Sequence, residues 1–264
     1  YTLQISLRSS IPFLPDLTKH YTWFPIAKHC ILKHGTIAEL HTGWTEPENM
    51  VSNGAFKLDT WKFNDRIEVV RNPYYWDKDT VKLNAIRFLP ISNPFTEARM
   101  FFNQQLHATY TLSSEMIEYA KKVEPESYRQ ETYLGTNFIR FNVTRDHLKD
   151  VKVRQALSLS IDRQMIIDKV LKGGQKPALG MVPPMGNYKS SEIIKFDPVK
   201  AKRLLAEAGY DESNQLTITL LTTDKDAAKI QAEAYQDMWK KNLGIQVNIQ
   251  QREWKTYLTM LSGL

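Results

Sequence analysis

Six tryptophans, twelve tyrosines and eleven phenylalanines make up 11% of these 264 residues, and they are the side chains best suited to recognising another molecule. Aromatic rings offer large, rigid contact area and build pockets that accept varied groups. Trp254 is the best placed of them. It follows a polar alternating run and precedes a helical one, which puts it near a strand end, where α/β lobes bind ligands. Covalent chemistry has less to work with. The sequence holds no G-x-S-x-G, no H-E-x-x-H and no Walker loop. Its six histidines are scattered and read as surface residues. Gly173-Gly174 is not followed by Lys-Ser/Thr, so it reads as a helix stop and not as a phosphate cradle. Glu124 and Glu126 sit in a polar turn, without the apolar surroundings that raise a catalytic carboxyl. The expectation is a protein that is not an enzyme and needs no cofactor and no metal.

Bulk properties narrow the class. A hydrophobic content of 42% and a charged content of 24% are ordinary for a soluble globular protein. No window approaches the ~18 consecutive apolar residues of a membrane span. Cys30 is the single cysteine, so no internal disulfide can form. The net charge is +6, but the basic residues are interleaved with acids such as Glu124, Glu126, Asp224 and Asp226. That is a solvated surface, unlike the clustered footprint of nucleic-acid binding. The first residues alternate like a strand and lack the pattern of a signal peptide.

Local patterns then place the elements. Tyr1–Arg8 reads as a strand. Asn53-Gly54 is expected to turn tightly through a glycine at φ > 0. Ala55–Phe63 alternates as a strand, Asn64-Asp65 turns the chain, and Arg66–Arg71 returns. Pro73 ends that hairpin, and Tyr74, Tyr75 and Trp76 are expected to plug it as core. Leu83–Leu89 is a further strand. Thr96 is expected to cap a helix through Leu106, and Ser113 or Ser114 one through Val123. Gln130–Tyr133 begins a strand that continues as Asn137–Asn142. Asp150 and Asp162 can cap the next two helices, the second stopping at Gly173-Gly174. Asp197-Pro198 opens a helix that ends at Gly209. Leu216–Thr222 and Ile245–Gln251 are strands around a helix, Ala227–Asn242, closed by Gly244. Strand, helix, strand in that order argues for an α/β lobe.

The order of several sequence blocks resembles one family. They are Val51-Ser-Asn-Gly-Ala-Phe-Lys-Leu58, Arg71-Asn-Pro-Tyr-Tyr-Trp76, Leu89-Pro-Ile-Ser92, Tyr133-Leu-Gly-Thr136, Val151–Arg163, Leu204–Tyr210, and Trp239–Gly244 leading to Glu253–Tyr257. Together they resemble the extracytoplasmic oligopeptide-binding proteins of peptide ABC importers, solute-binding protein family 5. The resemblance implies an α/β, two-lobed, periplasmic-binding-protein-like (class II) fold, here incomplete, with both ends reading as cut. Residues 1–35 would close a small extra domain, 36–134 would belong to lobe I, and 135–264 to lobe II. It implies non-covalent capture of an oligopeptide and delivery to a membrane permease, in the periplasm or cell envelope, with no nucleic-acid partner. The same fold also accommodates binders of murein peptide, nickel or haem, and the other alternative is a fragment with no ligand binding of its own. Tyr133–Asn142 would cross between lobes beside the peptide, with Tyr133, Asn137, Phe138 and Arg140 near it, and Trp254 would cover a side-chain pocket.

This sequence departs from that pattern. The best-known members have cysteine, two tyrosines and an acid where Gly135, Asn137, Ile139 and Arg140 stand. Ala228 and Leu261 replace a histidine and an arginine that help hold the peptide carboxylate in some members. Arg140 in place of an acid reverses the local charge and implies a preference for acidic peptides.

Overall fold

The computed structural model describes residues 2–40, 42–131 and 133–263. The chain divides into two compact units, Tyr1–Ser92 and Asn93–Leu264. The lobe boundaries implied by the resemblance, at 35/36 and 134/135, concern an arrangement of lobes that the two units, taken singly, do not address.

In the first unit two short helices, α1 (Leu14–Leu17) and α2 (Lys28–Ile31), precede an antiparallel sheet. Its strands are β1 (Phe56–Lys62), β2 (Arg66–Arg71) and β3 (Ala85–Phe88), in that order across the sheet. The β1–β2 register shifts between Leu58 and Thr60, a local bulge. Asn64 makes the hairpin turn in the left-handed region, at φ 57. Asparagine tolerates that conformation because its short side chain bonds locally.

Three expectations fail in this unit. No strand forms over Thr2–Leu7, and Tyr1 lies outside the described residues. Alternation alone does not make a strand, which needs a partner for its ladder. Gly54 is not in the left-handed region. Side chains fix this turn instead: Gly54 N–H donates to Ser52 Oγ at 3.0 Å, and buried Asn72 donates from Nδ2 to the carbonyls of Ser52 and Gly54, both at 2.9 Å. The aromatic plug is also absent, since Tyr74 is 90% and Trp76 84% exposed.

The second unit begins with α3 (Pro94–Phe102) and α4 (Ser114–Val123). The α3 cap is Asn93, whose Oδ1 accepts from the amides of Phe95 and Thr96, so the helix starts earlier than Thr96 implies. It ends at Phe102, and Gln104 turns the chain at φ 60. Ser113 caps α4. Then come α5 (Asp146–Lys149), α6 (Val151–Leu159) and α7 (Arg163–Ile166), with Asp150 and Asp162 as caps of the last two. A π-helical turn, Ile167–Leu171, continues α7 and stops at left-handed Lys172, φ 54, ahead of the glycine pair. Next are α8 (Pro198–Glu207), β4 (Thr217–Thr223), α9 (Asp226–Leu243), β5 (Gln246–Arg252) and α10 (Trp254–Ser262). Strands β4 and β5 pair in parallel from Thr217/Gln246 to Thr223/Arg252. Gly244 closes α9 at φ 71, a conformation that costs other residues a steric penalty.

One apolar core holds this unit. Val153, Ala156 and Leu157 of α6 meet Ala201, Leu204 and Leu205 of α8, Met238, Trp239 and Leu243 of α9, and Ile218 and Val247 of the sheet. The last carbonyls of α6 would be orphaned inside it, because a helix leaves its final carbonyls without intrahelical donors. Side chains from elsewhere satisfy them. Trp239 Nε1 donates to Leu157 O at 2.9 Å, and Asn242 Nδ2 to Ser160 O at 2.7 Å. Arg163 Nη1 donates to the carbonyls of Ser158 and Ile161, each at 3.2 Å. Burial lowers the affinity of Arg163 for its proton, and burial also raises the hydroxyl pKa of the adjoining Tyr235.

Candidate functional site

Parallel strands point their C-terminal ends the same way, and α/β proteins place ligands at that edge. Here the edge is formed by Thr223 and Arg252, the last residues of β4 and β5. Asp224 N–H donates to Arg252 O at 3.0 Å, and Gln251 Nε2 donates to Thr223 O at 3.5 Å, which ties the two strand ends together. Glu253 then caps α10, accepting from Lys255 N–H at 2.9 Å and Thr256 N–H at 3.2 Å. Those amide bonds hold its carboxyl below the ordinary glutamate range. The cap fixes where α10 starts, and so where Trp254, its first residue, stands.

Trp254 is therefore at the strand end, as its sequence context implies. It is half exposed, and its ring stacks on Tyr257 at 5.8 Å with an interplanar angle of 19°. Tyr257 was not singled out from the sequence. Its signal is the i, i+3 spacing to Trp254, which puts two aromatic rings on one helix face.

The Tyr133–Asn142 segment differs from expectation. No strand forms over 133–142, and Thr132 lies outside the described residues. Within the segment one backbone hydrogen bond is donated, from Gly135 N–H to Tyr133 O at 2.9 Å. Among the described residues, the amides of Thr136 to Asn142 and the carbonyls of Leu134 to Phe141 have no backbone partner. The side chains nevertheless alternate. Ile139 and Phe141 pack against the core of the second unit, while Phe138 and Arg140 are exposed. A strand is defined by a ladder, and no described strand lies beside this stretch.

All five residues singled out from the sequence, Tyr133, Asn137, Phe138, Arg140 and Trp254, belong to the second unit and are exposed. Phe138 and Arg140 share one parity of the segment. Tyr133 and Asn137 share the other, together with Ile139 and Phe141. Among the described residues no hydrogen bond, ion pair or ring contact joins any two of the five. No set of three or more metal-ligating side chains gathers among the described residues.

A β–α–β lobe with an aromatic stack at its strand ends has the layout of an α/β binding lobe. The chain belongs to the bacterial extracellular solute-binding proteins, family 5, whose model matches residues 1–263. It is 36% identical over 266 residues to the periplasmic oligopeptide-binding protein OppA of Salmonella typhimurium, covering 98% of this chain and 48% of that protein. It is 34% identical to the periplasmic murein peptide-binding protein MppA of Escherichia coli, again covering 98% of this chain and 48% of that one. Among solved structures, Escherichia coli MppA superposes with a TM-score of 0.84 at 31% identity, over 96% of this chain and 50% of that one. Haemophilus influenzae OppA, in complex with the peptide RPPGFSPFR, gives 0.74 at 31% identity, over 96% and 50%. The chain thus spans about half the length of the relatives it matches, and shares the fold of that half.

Proposed function

We propose that this chain belongs to the substrate-binding component of an ABC peptide importer, and that it captures short oligopeptides non-covalently. The observation that carries this is the 136–142 segment. It presents a run of unpaired backbone amides and carbonyls, with alternate side chains anchored in a core. An extended peptide laid beside such a run gains main-chain hydrogen bonds whatever its sequence, and side-chain pockets set its tolerance. The kinship with peptide-binding proteins of family 5 supports the same ligand class.

In this reading residues 36–134 and 135–264 contribute to two hinged lobes that close over the peptide, and 133–142 links them. Trp254 and Tyr257 cover a side-chain pocket. The work is binding and release, so no nucleophile, cofactor or catalytic carboxyl takes part. The protein acts outside the cytoplasm and hands its ligand to a membrane permease. No helix among the described residues is long and apolar enough to cross a membrane. A murein peptide stays within this ligand class. Nickel and haem have no gathered donor set among the described residues to support them.

Isothermal titration with a mixed library of di- to pentapeptides tests the proposal. Saturable binding, lost when Trp254→Ala and Phe138→Ala are combined, is the expected result. Heats indistinguishable from dilution, for the chain and for a longer version extended to its relatives' length, overturn it.

A further inference from the structure

We infer that Arg140 makes this site selective for peptides that carry a carboxylate two residues away from an apolar side chain. The inference rests on the peptide-binding reading above and adds a rule for which peptides are taken.

The rule follows from the alternation of the segment. Ile139 and Phe141 point into the core, which fixes the rotation of the backbone and leaves Phe138 and Arg140 outward. A strand laid alongside presents residues to that same face at every second position. Its side chains directly opposite Phe138 and Arg140 are therefore two residues apart, with Cβ atoms about 4.5–5.5 Å from their partners. One meets a phenyl ring. The other meets a guanidinium, whose planar fork matches a carboxylate bidentately.

Arg140 is available for that role. Arg154 and Arg163 of the same unit are engaged by helix-end carbonyls, at 2.7 Å to Leu148 O and 3.2 Å to Ser158 O. Arg203 faces Glu207 at 3.7 Å. Arg140 makes no ion pair and no side-chain hydrogen bond with any described residue, and it is exposed. A bound carboxylate thus displaces no internal partner. The peptide backbone alongside shields the pair from water, which strengthens it relative to a surface ion pair.

Four pentapeptides test this: AFAEA and AEAFA, and their glutamine counterparts AFAQA and AQAFA. They are titrated against the chain, its Arg140→Gln and Arg140→Glu variants, and a full-length Escherichia coli oligopeptide-binding relative carrying residues 133–142 of this sequence. In one of the two orders the glutamate peptide is expected to bind about tenfold tighter than its glutamine counterpart. The order that shows it reports whether the peptide runs parallel or antiparallel to the segment. Arg140→Gln should bring that ratio to about one, and Arg140→Glu should reverse it. Equal affinity for glutamate and glutamine peptides overturns the selectivity and leaves peptide capture standing. A ratio that survives Arg140→Gln assigns it to another cation and also overturns the inference. No binding of any peptide by the chain or by the graft overturns both readings.

Discussion

The two units of this chain are stabilised by different means. In Tyr1–Ser92 the buried apolar residues are Cys30 and Ile31, and every other buried apolar residue among the described ones lies in Asn93–Leu264. The first unit relies on its β-ladder and on polar latches. Arg71 donates to the carbonyls of Lys82 and Leu83 at 3.0 and 3.1 Å, and Asn72 ties Ser52 to Gly54. The second unit relies on interdigitated side chains around Trp239, which is 1% exposed. The contrast shows that strands alone bury little. A sheet gains an apolar core only where another layer covers its face, as α9 does for β4 and β5.

The sharpest way to break this comparison is Trp239→Ala. It empties the centre of the core and removes one of the two side-chain donors to Leu157 O, leaving Ser160 Oγ at 3.1 Å, so a loss of about 3–5 kcal/mol is expected. Hydrogen exchange should rise across α6, α8 and α9 while β1 and β2 stay unchanged. Equal loosening of both units would show that they share one cooperative core. Asn72→Ala is the reciprocal test. It strands two carbonyls and the Tyr74 amide, which donates to Asn72 Oδ1 at 3.1 Å. About 1–3 kcal/mol should be lost, with faster exchange confined to β1 and β2. Asp162→Ala removes the α7 cap and should cost about 1 kcal/mol in a urea titration of the second unit.

The smallest expected effect is an acid dependence of the first unit. The hydrogen bond from Arg87 Nε, 3.0 Å away, holds the Glu68 carboxyl below its ordinary pKa. A folded pKa below the unfolded one stabilises the fold above the unfolded value, and that contribution is lost as pH falls through the folded value. Glu68→Gln should therefore lower stability slightly at neutral pH and leave it unchanged in acid, which flattens the acid limb of β-sheet unfolding followed by circular dichroism. A limb that keeps its slope would assign the dependence to other carboxylates.

Much of this fold was legible because the signals were local. Asp150, Asp162 and Asp197 cap helices as their chemistry implies, each accepting a backbone amide two or three residues on. Gly244 closes α9, and the β4–α9–β5 unit follows its periodicity. One failure is local, since Asn93 ahead of Pro94 caps α3 in place of the expected Thr96, and the others are tertiary. Tyr74 and Trp76 have the composition of core residues, but no layer covers them among the described residues. Residues 134–142 have the alternation of a strand without a ladder. Gly54 looked like a left-handed turn because glycine permits one, while the bonds that shape it come from Asn72, 18 residues away. At the site, the placement of Trp254 was readable from its flanking elements. Its stacking partner required knowing that Glu253 starts a helix there.

The side chains that finish α6 have a consequence for the timing of synthesis. Leu157 and Ser160 wait for donors at Trp239 and Asn242, each 82 residues later in the chain. A ribosome adds residues at about 5–20 per second, so these carbonyls stay without their final partners for roughly 4–16 s. During that interval α6 has an unfinished end. Its apolar stripe is covered first by α8, which emerges earlier, and α9 then brings the donors that finish the helix.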